Sequence, residues 1–189
     1  MPGETNRLVR SSAVYRPLTA TAAMMAYAWL MMGHFSTGFT LQDGPNALGL
    51  SFGYGLDEVQ QFFAARTKEQ LLCYRHFIAI WDSLFTVIYS MMHAAWIAFF
   101  FPARRLLLFL PLLHMLLDWI ENLCEGFMVD AWLQTRTISE NLVCASSWIT
   151  RCKWTASLLI YATLAAGLWV MVVHSVRRQK TNSLKTPDG

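Results

Sequence analysis

The sequence predicts an all-α membrane protein, a bundle of four transmembrane helices with an amphipathic helix between the first and second spans. The composition is the first reason: 55% of the 189 residues are hydrophobic and only 14% are charged, whereas soluble domains average about 25% charged residues. The second reason is a set of four apolar stretches. The third is a pair of matched polar stripes that lie inside two of those stretches.

Each apolar stretch is long enough to cross the ~30 Å hydrocarbon core of a bilayer as a helix. The predicted spans are residues 17–37, 77–101, 106–124 and 154–176. We expect them to form a single membrane domain over residues 1–178. The remaining residues, 179–189, are predicted to be a disordered tail because they are almost all polar.

The connection between the first two spans has two parts. Residues 38–55 contain several glycines and Pro45, which is typical of an irregular loop. Residues 56–72 place apolar side chains at helical spacing, with Val59, Phe62 and Phe63 on one face. Such a helix lies in the membrane interface or caps the mouth of the bundle.

Basic residues are unevenly divided between the two ends of the predicted bundle. The N-terminal segment, the turn between spans two and three and the C-terminal tail share one side. That side has nine basic residues, namely Arg7, Arg10, Arg16, Arg104, Arg105, Arg177, Arg178, Lys180 and Lys185, against two acidic ones, Glu4 and Asp188. The positive-inside rule therefore places both termini in the cytosol or its equivalent, with the organelle undetermined. The net charge of +3 reflects this topology, so no nucleic-acid partner is expected.

Four cysteines lie at or beyond the membrane face opposite the termini: Cys73, Cys124, Cys144 and Cys152. In an oxidising compartment they could form two disulfides, in any of three pairings. Alternatively they are buried free thiols. The sequence leaves both states open.

The polar stripes are the candidate functional site. Span two contains Asp82, Thr86, Tyr89 and His93, and span three contains His114, Asp118, Glu121 and Glu125. Both stripes step by four, three and four residues, which keeps their side chains on one face of a helix. Ionisable side chains cost roughly 2.5 to 3.5 kcal/mol each inside a membrane, so they tend to face a bundle interior or a cavity.

A helical hairpin brings the two stripes together. If the chain bends about residues 103 and 104, side chains equally distant from the bend lie at the same depth. The expected pairs are His93 with His114, Tyr89 with Asp118, Thr86 with Glu121, and Asp82 with Glu125.

The residue types in the stripes are suited to intramembrane acid/base chemistry on a lipid-like or sterol-like molecule. In this interpretation His114 or His93 carries a proton, Asp118 orients the imidazole, and Glu121 is a second acid or base. The remaining stripe residues contact the ligand, with Tyr89 donating a hydrogen bond to it; they are Tyr89, Asp82, Thr86 and Glu125. Whether chemistry follows binding is left open.

The layout resembles the EXPERA group of membrane proteins, which includes sterol isomerases and small-ligand-binding relatives. The likeness is in the four spans, the chain length, the helical loop after the first span and the acidic and His residues inside. It implies a lipid-like ligand, and it assigns no residue a role.

Other functions fit the same stripes. In one alternative the polar side chains only hydrogen-bond helices together, and the chain is an accessory or assembly subunit of a membrane complex. His93 and His114 at one depth suggest a haem or metal site, although the sequence lacks the usual metal-binding spacings and identifies no cofactor. Stacked carboxyl and imidazole groups also occur in proton and ion pathways.

Overall fold

A computed structural model describes residues 2–41 and 47–183 of the chain, with side chains for residues 14–41 and 47–177. Every regular element in this part of the chain is a helix, which confirms the all-α prediction. The α-helices are α1 (Pro2–Leu30), α2 (Leu56–Ala64), α3 (Lys68–His76), α4 (Ser83–Phe100), α5 (Phe109–Thr135) and α6 (Glu140–Ser183). Residues 184–189, most of the predicted tail, lie outside the described residues.

Three helices among the described residues are long and apolar enough to cross a membrane: Lys68–Phe100, Arg105–Thr135 and Glu140–Arg177. They contain the second, third and fourth predicted spans. The first predicted span is helical but does not reach the same apolarity. Polar side chains such as Thr21, Tyr27 and His34 lower its mean hydropathy.

The helix α1 packs along α4 through specific contacts. The Tyr27 hydroxyl donates to the backbone carbonyl of Trp81 at 2.9 Å, and the Trp96 indole donates to the Thr21 hydroxyl at 2.9 Å. Phe35 stacks on Trp81 with ring centroids 3.9 Å apart. The polar groups that lower the hydropathy of α1 therefore hold it against its neighbour.

The predicted amphipathic helix is two helices, α2 and α3, separated at residues 65–67. Thr67 caps α3, because its hydroxyl accepts from the Gln70 amide while the Gln70 side chain accepts from the Thr67 amide at 2.9 Å. The apolar face of α2 is fully buried, in a core that includes Phe39 and Tyr74. The sequence predicted that this helix either lies in the membrane interface or caps the bundle. In the structure, α2 packs as a cap over one end of the helices.

The helix Lys68–Phe100, which contains the second predicted span, is continuous but includes a wider, π-helical stretch. A π-helical segment, Phe77–Asp82, joins α3 to α4, and the Ser83 hydroxyl donates to the Ile78 carbonyl at 2.9 Å. Such insertions are frequent at functional sites because they change which side chains face inward. Here the segment ends at Asp82, the first residue of the polar stripe.

The four cysteines are free thiols, and Cys144 and Cys152 are exposed. Of the two states that the sequence left open, the structure contains the free-thiol form.

We expect Gly167→Ala to destabilise the packing of α6 against α4. A Cβ at residue 167 would lie 2.6 Å from the Phe100 ring, whereas one at Gly33 meets nothing within 4 Å. Overpacking costs roughly 1–3 kcal/mol, which outweighs the ~1 kcal/mol that alanine gains over glycine in a helix. The apparent free energy of unfolding in detergent titrations should fall for Gly167→Ala and stay level or rise for Gly33→Ala. Equal effects of the two substitutions would contradict the close approach of the helices.

Candidate functional site

The two predicted stripes face each other and also face a third stripe, on α6. The third stripe has the same spacing of four, three and four residues, and its members are Ser146, Thr150, Lys153 and Ser157, all buried. We refer to the three stripes together as the polar core. It lies between α4, α5 and α6, and α5 and α6 pack on each other more closely than any other helix pair.

Lys153 is the only basic side chain in the polar core. Its ammonium lies 2.9 Å from the Asp118 carboxylate and forms a second ion pair with Glu121. Glu121 is 1% exposed, and its other oxygen accepts from the Thr150 hydroxyl at 2.5 Å. Coulomb attraction in such a low-dielectric setting is several times stronger than in water. This ion-pair group therefore joins α5 to α6.

The same group is joined to α4 by hydrogen bonds. The Thr86 hydroxyl donates to Asp118. One turn away, the Asn122 amide donates to the Asp82 carboxylate at 3.0 Å. The first bond connects α4 with α5, and the second connects the π-helical segment before α4 with α5. All three helices of membrane-spanning length therefore share one network.

His114 lies at the next level, between two hydroxyl groups. Its Nδ1 hydrogen-bonds to Tyr89 and its Nε2 to Ser157. In a neutral imidazole one nitrogen donates and the other accepts, so the two hydroxyls have opposite roles. The ring is fixed by both neighbours, one on α4 and one on α6.

His93 marks the far end of the polar core. It is 3% exposed, and neither ring nitrogen has a hydrogen-bond partner in the structure. Its ring contacts Tyr89 and Tyr161 edge to face, each with centroids 5.5 Å apart. His93 is therefore a buried imidazole whose hydrogen-bonding capacity is unused by the protein.

Glu125 marks the opposite end, near the cap. One of its oxygens accepts from the Tyr74 hydroxyl, and the other is buried without a partner. Nearby, the Tyr54 hydroxyl hydrogen-bonds to Ser146 at 2.6 Å. Burial, together with the Glu125 carboxylate, raises the pKa of Tyr54, so Tyr54 is a neutral phenol at physiological pH.

A loop covers this end of the polar core. The Gly49 carbonyl lies 3.4 Å from the Lys153 ammonium, and the Tyr54 amide donates to Ser147 at 3.0 Å. Gly53 has a φ of 153°, and a Cβ there would lie 2.7 Å from the Arg151 side chain. Glycine is therefore needed at residue 53 for the loop to lie against α6.

The register of the hairpin differs from the predicted one. Tyr89 meets His114 and Thr86 meets Asp118, about one helical turn from the expected pairs, and Glu125 meets Tyr74 instead of Asp82. α4 ends at Phe100, and the observed pairs centre the bend near residue 102, about two residues earlier than expected. The 3-10 helix Arg105–Leu108 that precedes α5 adds only ~0.5 Å per residue over an α-helix, so it accounts for a small part of the shift.

A groove on the outer surface lies beside the polar core. It has a volume of about 300 Å³ and is lined by Arg75, Ala79, Ser83, Trp119, Asn122 and Leu123. Asn122 belongs both to this groove and to the Asp82 hydrogen bond. At one end, Arg75 forms an ion pair with Asp130 at 3.3 Å. We refer to this feature as the lateral groove.

The two histidines of the metal or haem interpretation are not level with each other. His114 hydrogen-bonds to Tyr89 and Ser157, whereas His93 lies at a different depth. No group of three or more His, Cys, Asp or Glu side chains in the described part of the chain is arranged to hold a metal ion.

The eight predicted site residues make up two of the three stripes of the polar core, and the third stripe, on α6, was not predicted. Lys153 received no site role because it lies just before the fourth predicted span, residues 154–176. The helix that contains this span begins at Glu140. The signal was present in the sequence, because residues 146, 150, 153 and 157 repeat the spacing of the other two stripes.

The chain matches no protein-family model, no curated protein and no solved structure in the comparisons made. These comparisons therefore do not support the resemblance of its layout to the EXPERA group. Three helices of membrane-spanning length and apolarity indicate an integral membrane protein. Its distinguishing feature is a core of buried polar and ionisable side chains.

We expect Lys153→Met to destabilise the protein by about 3–5 kcal/mol, because it leaves two buried carboxylates without their cation. Adding Glu121→Gln should recover part of that loss. Cys152→Met, an exposed change on the same helix, should change stability by no more than about 0.5 kcal/mol. Detergent-denaturation curves of the four proteins measure these differences. Wild-type stability in Lys153→Met would show that the ion pairs do not support the core.

Proposed function

We propose that this chain is a four-span membrane protein that binds an amphipathic, lipid-like molecule through the lateral groove, with the polar head of the ligand at the edge of the polar core. The observation that supports this most directly is the shared residue Asn122. It lines the groove and donates a hydrogen bond to Asp82. A ligand in the groove is therefore adjacent to a carboxyl group of the core.

The groove has the chemical character that such a ligand requires. Trp119, Leu123 and Ala79 offer apolar surface, and Ser83 and Asn122 offer hydrogen-bonding groups. Binding sites for small molecules combine mostly apolar walls with a few placed polar groups in this way. A groove between candidate spans is also reached directly from the hydrocarbon, where lipid-like molecules are concentrated.

The shape of the polar core favours binding over conduction. The core ends at His93, and the rest of α4, as far as Phe100, is apolar except for Trp96. That distance is about 10 Å of helix at ~1.5 Å per residue. A proton or ion pathway needs polar groups through the whole membrane, whereas a binding site can be closed at one end.

Within this proposal Asp82 is the carboxyl group nearest the ligand. It is half-buried, whereas Asp118 and Glu121 are occupied by Lys153. Proton exchange with a bound ligand would therefore begin at Asp82. His114, Asp118, Glu121 and His93 would act behind it, through the hydrogen bonds of the core.

A second candidate function has its own support. The ion-pair group of Lys153, Asp118 and Glu121 is nearly self-contained, as expected if its task is to hold helices together. In that case the chain is an accessory subunit, and its exposed apolar surface meets lipid or another membrane protein. The experiment on the groove separates the two functions.

Ala79→Trp should abolish ligand binding by filling the lateral groove, while Ile80→Trp should not. Both residues are exposed on the same π-helical segment, but only Ala79 lines the groove. Native mass spectrometry of protein released from membranes should detect an added lipid-sized mass in the wild type and Ile80→Trp, and lose it in Ala79→Trp. Equal adducts in all three would exclude the groove as the site. Bare protein throughout, or a bound polypeptide, would favour the accessory subunit.

The proposed topology has α1 as the fourth span and both termini on the cytosolic side. In a cysteine-free background, Ser51→Cys and Ala103→Cys introduce thiols at exposed positions on opposite ends of the bundle. An impermeant maleimide should label them from opposite sides, and an N-terminal tag should be accessible from the side of residue 103. A tag accessible from the side of residue 51 would mean that α1 does not cross the membrane.

A further inference from the structure

The turn between α4 and α5 encloses a second surface cavity, far from the polar core. It has a volume of about 430 Å³ and is lined by Ala98, Phe101, Pro102, Arg104, Arg105 and Leu108. We refer to it as the turn pocket. It lies between the ends of two candidate spans, and therefore at a boundary between hydrocarbon and water.

The charge of the turn pocket is unbalanced. Arg104 and Arg105 are exposed, and neither forms an ion pair with a carboxylate in the described part of the chain. The nearest acidic residues in sequence, Asp82 and Asp118, belong to the polar core. Two adjacent guanidinium groups without an acidic partner are a strong local attraction for an anion.

The backbone of the turn is held by its own hydrogen bonds. The Phe101 amide donates to the Ile97 carbonyl at 2.8 Å, the Arg104 amide to Phe101 at 2.9 Å, and the Leu107 amide to Arg104 at 3.1 Å. Pro102 further restricts the chain. The two arginines therefore project from a pre-formed turn, which reduces the entropy lost on binding.

The apolar walls decide which anion fits. Ala98, Phe101 and Leu108 give the pocket apolar walls beside the guanidinium groups. A free phosphate ion would use only the arginines, whereas an anionic phospholipid would also place an acyl chain against these walls. Basic pockets between transmembrane helices are known to bind anionic lipid headgroups.

We propose that the turn pocket binds an anionic phospholipid, with the phosphate on Arg104 and Arg105 and an acyl chain along Ala98 and Leu108. This site does not depend on the lateral groove. There, Arg75 is already paired with Asp130, and the Asp82 carboxylate would repel an anion.

The test compares phosphatidylglycerol with phosphatidylcholine of identical acyl chains, added to delipidated protein in neutral detergent. Native mass spectrometry of the wild type should show about a tenfold preference for phosphatidylglycerol, equivalent to about 1.4 kcal/mol. The preference should vanish in Arg104→Gln/Arg105→Gln and should survive in Arg136→Gln, which removes an exposed arginine at the other end of α5.

Two further variants test the role of the guanidinium groups and the independence of this site from the lateral groove. Arg104→Lys/Arg105→Lys keeps the charge but not the planar guanidinium, so it should bind phosphatidylglycerol more weakly than the wild type and more tightly than the glutamine variant. Ala79→Trp should leave the preference unchanged, which separates this site from the lateral groove. A wild type without preference, a preference that persists in the glutamine variant, or equal thermal stabilisation by inorganic phosphate would each overturn the proposal.

Discussion

The ammonium of Lys153 is the constraint on which the rest of the polar core depends. It is the only cation among the carboxyl groups that α4 and α5 direct inward, and it neutralises Asp118 and Glu121 together. Unpaired charges are too costly in a low-dielectric interior to persist. Lys153, on α6, thus neutralises the carboxylates of α5, and one of them, Asp118, in turn accepts a hydrogen bond from Thr86 on α4.

The two ends of the polar core have different surroundings. Near Glu125, the loop with Gly49 and Tyr54 and the buried helix α2 form a cap rich in aromatic side chains. Beyond His93, the rest of α4 is apolar except for Trp96. Hydrogen-bonding groups are thus concentrated in the half of the protein nearest the cap, and the lateral groove meets that half. The proposed ligand would find most of its polar partners there.

Much of this arrangement could be predicted from spacing alone. The stripe residues of α4 and α5 recur with helical periodicity inside apolar segments, and the cost of burying them determines which way they face. The register could not be predicted, because it depends on the residue at which α4 ends, Phe100, and the apolar sequence before Pro102 does not mark that point. Lys153 was missed because hydropathy marks only the apolar part of a helix. It lies one residue before the predicted span at 154, on a helix that begins at Glu140.

Charge balance argues that the core does more than hold helices together. The polar core contains four carboxyl groups, those of Asp82, Asp118, Glu121 and Glu125, and Lys153 forms ion pairs with two of them, Asp118 and Glu121. A network that only packs helices would cost less with fewer ionisable groups, because neutral hydrogen-bonding residues also join helices. Under the proposed function, a polar ligand or bound protons compensate for the other carboxyl groups. Asp82, half-buried beside the lateral groove, is then the group whose surroundings a ligand changes.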